Sequence, residues 1–168
     1  VVKPAKEGST VGISIVKSMD DYEKAVKEAE KYDKRVLIEE FIEGKEFTIG
    51  IMNGETLPPI WIKPNSGFYD YTSKYTKGAT QYLFDTGLSE EEDVLIRKTA
   101  LEAYDALGCE GVARVDVIFD GKTAYVLEAN TIPGMTETSL LPQAAAKAGI
   151  PFLTVLENML KDGFARER

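Results

Sequence analysis

Apolar positions recur along the chain with two different periods. Tyr22, Ala25, Val26 and Ala29 fall three and four apart, which predicts a helix, and Ser18 with Asp21 has capping-box spacing at its start. Ahead of it the chain reads as a strand, a loop over Lys3 to Gly12 and a short strand from Ile13 to Val16. Behind it, Val36 to Ile42 is a β-branched and aliphatic run, hence a strand. Phe47 to Met52 is the next strand, and Asn53-Gly54 predicts a tight hairpin turn. Pro58 and Pro59 interrupt the run before a short strand over 60–63. Residues 64–87 have no clean period and hold three Gly, one Pro and four Tyr. A loop this long in a compact domain is usually functional or disordered, and its aromatic and lysine content argues against disorder. Ser89 with Glu92 opens a helix that should run to Leu107 and stop at Gly108. Val112 to Phe119 and Thr123 to Ala129 read as strands around Asp120-Gly121. After a Pro/Gly loop over 131–142, Leu140 to Ala148 and Pro151 to Leu160 read as two closing helices separated by Gly149.

The last two strands carry polar residues inside apolar runs. Side chains alternate along a strand, so Arg114 shares a face with Asp116, and Glu128 with Asn130. Turn length decides whether the two polar sets coincide. A two-residue turn pairs Phe119 with Lys122 and puts them on opposite faces. A three-residue turn pairs Phe119 with Thr123, sets Arg114 opposite Glu128 and Asp116 opposite Val126, and gathers all four groups. Gly121 permits the longer turn, and gathering costly charges on one face is cheaper than scattering them through two cores, so the three-residue register is expected. Asp116, Glu128 and Asn130 then form an oxygen-only set suited to a hard divalent cation such as Mg²⁺. The same residues could equally serve as an Arg114-centred ion-pair network on a solvated face.

Composition narrows the chemistry. The chain has 168 residues, 43% of them hydrophobic and 29% charged, as in a globular domain. Its net charge of −8, from 20 basic and 28 acidic residues, makes it a poor general binder of nucleic acid or anionic membrane. The absence of histidine excludes His general bases, Ser-His-Asp and Cys-His nucleophiles and His-ligated zinc. The single Cys109 reads as a buried small hydrophobe and fits a reducing, cytoplasmic setting. No apolar run approaches the ~18–20 residues of a membrane span, and no signal peptide is visible. The chain begins without Met, and Val1 to Pro4 reads like the end of a strand, so a piece of a longer protein is expected.

Three further segments carry polar chemistry. Glu7, Gly8, Ser9, Thr10, Val11 and Gly12 could present backbone N–H groups to phosphate, or be an ordinary turn; the segment lacks the Walker A pattern. Glu39 to Glu46 flanks a strand end with carboxylates, either a solvated end or acceptors for a nucleotide's amine and ribose hydroxyls beside the aromatic Phe41. Phe68 to Tyr75 could be a lid whose Lys74 neutralises phosphate charge, or a surface loop over packed tyrosines.

Taken in order, the strings VKPAKEGSTVG, EEFIEGKEFTIGI, LPPI, GFYDYTSKYTKGATQY, GCEGVARVDV and LEANTIPGMTETSLLP resemble the D-alanine–D-alanine ligases of the ATP-grasp superfamily. The resemblance implies an α/β fold of α+β type, with antiparallel or mixed sheets flanked by helices. Residues 1–46 would end the central ATP-grasp subdomain, and 47–168 would be the C-terminal ligase domain. It implies that Lys3 meets the α- and β-phosphates of ATP under a loop from Glu7 to Gly12 that includes Gly8, Ser9 and Thr10. Glu39 and Glu46 would hold the adenine amine and the ribose, with Phe41 and Ile42 lining the pocket and Lys74 at the γ-phosphate. Asp116, Glu128 and Asn130 would hold two Mg²⁺ ions, with Mn²⁺ possible. Arg114 and the Gly134 N–H would stabilise an oxyanion, Ser139 and Leu140 would bind a substrate carboxylate, and Ser9 would link to Tyr75 across the lid.

The reaction so implied joins two D-alanine molecules through an acyl phosphate in cytoplasmic peptidoglycan precursor synthesis. An N-terminal half that binds the first D-alanine would be missing, leaving this piece inactive alone, and the full-length ligase would be a homodimer. Rival readings are another ATP-grasp carboxylate–amine ligase, like glutathione synthetase or biotin carboxylase, and a non-catalytic nucleotide-binding fragment. Tyr75 matches ligases that form dipeptides rather than depsipeptides. Changing Tyr75→Phe in the full enzyme should therefore raise D-lactate use relative to D-alanine, and an unchanged product ratio would count against that role.

Overall fold

In a computed structural model that describes residues 1–8, 10–64 and 80–166, the described residues form two compact units, one within 1–43 and one within 44–63 and 81–166. In the first unit, β1 (Val2–Pro4) pairs antiparallel with β2 (Val36–Ile38), Val2 opposite Ile38. Helix α1 (Met19–Ala29) covers this pair, burying Ala25 and Ala29 beside Val2. Two expected strands are shorter than their sequences suggest. Ile13 to Val16 contributes one bridge, Ser14 to Val2. The 36–42 run is a strand only over Val36–Ile38, because β1 offers three partners; the Glu39 N–H still bonds the Val1 carbonyl, and the ladder ends there. The Ser18 hydroxyl donates to Asp21 Oδ2 at 2.9 Å and makes no cap bond to the helix, so the capping box predicted there does not form.

The second unit is built on a sheet. Its strands are β3 (Lys45–Met52), β4 (Glu55–Thr56), β5 (Ile60–Pro64), β6 (Thr80–Leu83), β7 (Val112–Phe119) and β8 (Ala124–Asn130), in the order β6-β5-β3-β7-β8 with β4 on β3. Asn53 and Gly54, at φ of 53° and 77°, make the two-residue turn that pairs Met52 with Glu55, as their sequence predicts. Strand β6 lies inside the stretch expected to be loop. Its four residues are too few to establish a period against the Gly- and Tyr-rich sequence around it.

Helix α2 (Glu90–Ala106) starts with a complete Ser89–Glu92 capping box. Gly108 follows its end at φ 63°, a conformation that costs glycine little. The helix lays Ile96, Ala100 and Tyr104 on Phe47, Ile49, Ile51, Ala113, Val115 and Val117, which are the alternate residues of β3 and β7. Helices α3 (Leu140–Lys147) and α4 (Phe152–Arg166) enclose a second core of Leu57, Ile60, Val112, Leu141, Ala144, Ala145 and Val155. Gly50 lets that core come close to the sheet: a Cβ there would lie 3.0 Å from Leu57 Cδ1 and 3.5 Å from Leu141 Cδ1.

The β7–β8 turn differs from expectation. Phe119 pairs with Ala124, so residues 120–123 form a four-residue turn, longer than the three predicted. The Asp120 side chain makes the difference. Its Oδ1 accepts the N–H groups of Thr123 at 2.7 Å and Lys122 at 2.8 Å, which wraps the chain around the carboxylate. Those bonds, Thr123's first, hold the Asp120 carboxyl below the usual aspartate range. A depressed carboxylate contributes stability above its unfolded value, near 3.9, and loses it as pH falls through the lower folded value. Asp120→Asn keeps an acceptor and removes the charge. Its melting temperature should fall below wild type at pH 7, and the gap should close in scans taken progressively below about pH 4.

Candidate functional site

Pairing across the sheet gathers the polar residues on the face opposite α2. Along β3, side chains alternate, so Glu46, Thr48 and Gly50 point away from the Phe47–Ile49–Ile51 core. Thr48 sits between Ile60 of β5 and Asp116 of β7, and Gly50 is opposite Arg114. On β8, Glu128 is directly opposite Asp116 and Asn130 directly opposite Arg114. One row therefore reads Ile60, Thr48, Asp116, Glu128, and the next reads Gly50, Arg114, Asn130.

The four polar groups thus share a face, as the pleat argument requires, but through a different register. Arg114 was expected opposite Glu128, and Asp116 opposite Val126. The observed partners are Asn130 and Glu128. Val117 pairs with Val126 and Asp116 with Glu128, so Leu127 is an extra residue bulged out of β8.

Burial falls steadily along the first row. Ile60 and Thr48 are each 1% exposed, Asp116 is 6% exposed, and Glu128 is exposed. Asp116 is the only charged residue among the fully buried ones described. Arg114 grips it with both arms of its guanidinium, Nε to Oδ1 at 3.0 Å and Nη2 to Oδ2 at 2.9 Å. The buried Thr48 hydroxyl donates to the same Oδ1 at 2.5 Å. A β-branched residue in an apolar strand run reads as an ordinary strand former, so the sequence reading missed Thr48. Its one signal is position: two residues beyond Glu46, it falls on the polar face.

Asp116 and Glu128 are like charges directly opposite each other on neighbouring strands, with Cβ atoms roughly 5 Å apart, a repulsive pairing. A cation between them would relieve it. Among the described residues no three His, Cys, Asp or Glu side chains group as a metal cluster. The donors here are two carboxylates and the Asn130 amide, whose Oδ1 also accepts the Ile132 N–H at 3.1 Å. Oxygen donors of this kind, open to solvent on one side, fit a hard ion that keeps water or phosphate ligands.

The loop after β8 is tied internally. Thr136 N–H donates to Ser139 Oγ at 3.0 Å, and the two hydroxyls lie 2.9 Å apart. A Cβ on Gly134 would come within 2.9 Å of Ser139 Oγ, so glycine is what lets this hydroxyl sit against the loop. Ser139 is the N-cap of α3 and Leu140 its first residue.

In the first unit, Lys3 on β1 pairs with Glu39 just past β2, Nζ to Oε2 at 2.6 Å. Glu7 and Gly8 are exposed, as is Phe41, while Ile42 is half-buried. Thr10 has φ +66°, an uncommon conformation for a β-branched residue and therefore strained. Gly12, at φ +69°, is required on packing grounds alone, since a Cβ would lie 2.6 Å from the Tyr32 ring. Ser9, Lys74 and Tyr75 lie outside the described residues. No helix of the described residues is long and apolar enough to cross a membrane.

A family model described as D-ala D-ala ligase C-terminus matches residues 1–161. The D-alanine–D-alanine ligase of Methylacidiphilum infernorum is 46% identical over 167 residues, covering 99% of this chain and 55% of the relative. That of Thermotoga petrophila is 41% identical over 170 residues, covering 99% and 56%. Among solved structures, the D-alanine–D-alanine ligase from Bacillus anthracis complexed with ATP superimposes with a TM-score of 0.83 at 32% identity, covering 98% of this chain and 52% of that one. The chain spans about half the length of the curated relatives it matches.

The Arg114–Asp116 grip yields a stability prediction. Arg114→Leu leaves the buried carboxylate with Thr48 as its one partner among the described residues and should cost about 3 kcal/mol in urea unfolding. Adding Asp116→Leu removes the stranded charge and should recover most of that loss; a further loss would contradict the assignment.

Proposed function

The chain belongs to the family described as the D-ala D-ala ligase C-terminus, and we propose that it supplies the nucleotide- and metal-binding half of a ligase that joins two D-alanine molecules at the expense of ATP. The observation that carries this reading is the opposed Asp116–Glu128 pair beside Asn130 and Arg114 on one sheet face. Asp116, Glu128 and Asn130 would hold two Mg²⁺ ions, with Mn²⁺ able to substitute. Such ions supply Lewis-acid neutralisation of charge on a transferring phosphoryl group.

The remaining roles belong to this chain's own groups. Lys3 and the backbone of Glu7, Gly8, Ser9, Thr10 and Gly12 would bind ATP phosphates through charge and N–H donors. To reach a phosphate, Lys3 must loosen its ion pair with Glu39, which would free that carboxylate for the adenine amine. Glu46 would accept from the ribose, Phe41 and Ile42 would line the base, and Lys74 would meet the γ-phosphate. The first D-alanine carboxylate would receive the γ-phosphoryl group, with ADP leaving, and become an acyl phosphate. Attack by the second D-alanine amine would build negative charge on the acyl oxygen, where Arg114 and the Gly134 N–H would stabilise it until inorganic phosphate leaves and the amine loses its proton to give the amide.

Ser139 and Leu140 would hold the second substrate's carboxylate. Ser139 Oγ accepts the Thr136 N–H, and its own O–H proton would donate to that carboxylate when the Thr136 hydroxyl acts as the donor of their pair. Ser9 and Tyr75 would close the lid over the site. Dipeptide formation of this kind serves cytoplasmic peptidoglycan synthesis, by a full-length homodimer whose other half binds the first D-alanine.

The test is phosphate release from ATP by the full-length protein. Release should require both D-alanine and Mg²⁺, and Asp116→Ala or Glu128→Gln should slow it on the order of 100-fold or more. Release that ignores D-alanine would overturn the reading.

A further inference from the structure

We infer that Thr48 is a positioning residue: its buried hydroxyl holds the Asp116 carboxylate in one orientation and reserves Oδ2 as the oxygen that ligates metal. The inference rests on the reading of Asp116 as a metal ligand and deepens it.

The hydrogen bonds divide the carboxylate unevenly. Oδ1 accepts from Thr48 Oγ1 at 2.5 Å and from Arg114 Nε at 3.0 Å. Two donors use both of its lone pairs. Among the described residues Oδ2 accepts only from Arg114 Nη2, at 2.9 Å, and keeps one lone pair. A cation on the Glu128 side therefore meets an Asp116 able to offer one oxygen.

Packing shape alone does not call for a hydroxyl at position 48. Thr48 is 1% exposed between Ile60 and Asp116. Valine has the same shape, suits a buried strand as well and carries no polar group to satisfy. What threonine adds is the donor on Asp116. Removing it leaves Arg114 as the carboxylate's one partner among the described residues, so its orientation is held less firmly and Oδ1 regains a lone pair. An Asp116 that must be ordered by the ion itself binds that ion more weakly, and loss of a partner of this kind typically weakens metal affinity 10–100-fold.

Thr48 differs from Arg114, the other partner of Asp116. Arg114 is charged and the proposed reaction also needs it at the acyl oxygen. Thr48 is neutral and buried in the strand, so its bond to Asp116 is independent of what else Arg114 contacts.

The experiment is Mn²⁺ titration of the full-length protein with ATP, followed by the electron paramagnetic resonance signal of free Mn²⁺. Thr48→Val should weaken Mn²⁺ binding about 10-fold or more, and Thr48→Ser, which keeps the hydroxyl, should stay within about threefold of wild type. The Mg²⁺ concentration for half-maximal phosphate release should rise in step, with kcat near wild type once Mg²⁺ saturates. Thr48→Ala carries the same expectation and serves if the valine variant does not fold. Asp116→Asn is the control. If it loses Mn²⁺ while Thr48→Val and Thr48→Ala bind as wild type, the positioning role is wrong and the metal reading stands. If Asp116→Asn keeps Mn²⁺, the metal reading itself falls, and this inference with it.

Discussion

The antiparallel ladder between β3 and β7, eight pairs from Lys45–Phe119 to Met52–Val112, sets the terms for the rest of the second unit. Its pleat sends Phe47, Ile49 and Ile51 with Val117, Val115 and Ala113 into the core under α2. The same pleat sends Thr48 and Gly50 with Asp116 and Arg114 to the other face. Sliding one strand by a residue would exchange the two sets. Asp116 would then sit among Ile96 and Ala100 without a partner, at a cost of several kcal/mol, while Val115 and Val117 moved out of the core. Burial and electrostatics therefore select the same register, and agreement between levels is what singles out one structure.

Within that ladder the polar face is graded. Ile60 and Thr48 are in the dry interior, Asp116 is at its margin and Glu128 is in solvent. A charge at the margin keeps strong local interactions, because little water screens it, yet faces the solvent on the β8 side. Arg114 and Thr48 make this tenable by supplying three hydrogen bonds to one carboxylate. On the neighbouring stretch of the same face, the second core closes over Gly50 through Leu57 and Leu141, so the site is bounded by packed apolar side chains where Gly50 lacks one of its own.

Much of this was legible in the sequence where local chemistry and period agreed. The Ser89–Glu92 box, Gly108, the Asn53-Gly54 turn and the apolar run of β7 each specify their structure within a few residues. Length was less legible. The 36–42 run has the composition of a longer strand, but a ladder lasts only as far as its partner. The pleat placed Asp116, Glu128 and Asn130 on one face, while their opposite numbers depended on a side-chain-wrapped turn that Asp120 builds and that Gly121 alone does not signal. Thr48 was invisible because its role appears only across strands, 68 residues away in sequence from Asp116.

The bulge at Leu127 has a consequence for how this hairpin tolerates change in length. A turn of four residues has the wrong parity: continued without interruption, it would set Asp116 against Leu127 and turn Glu128 to the opposite face. The extra residue at Leu127 restores the parity before the ladder reaches the polar groups. Turn length and carboxylate alignment are thereby uncoupled. A one-residue deletion between Asp120 and Thr123 can be offset by regularising β8 at Leu127, and the polar face survives. An insertion or deletion lacking such an offset inverts every side chain beyond it. The bulge is thus a correction register, which lets the solvent end of the hairpin change length while the polar face two pleats away stays in phase.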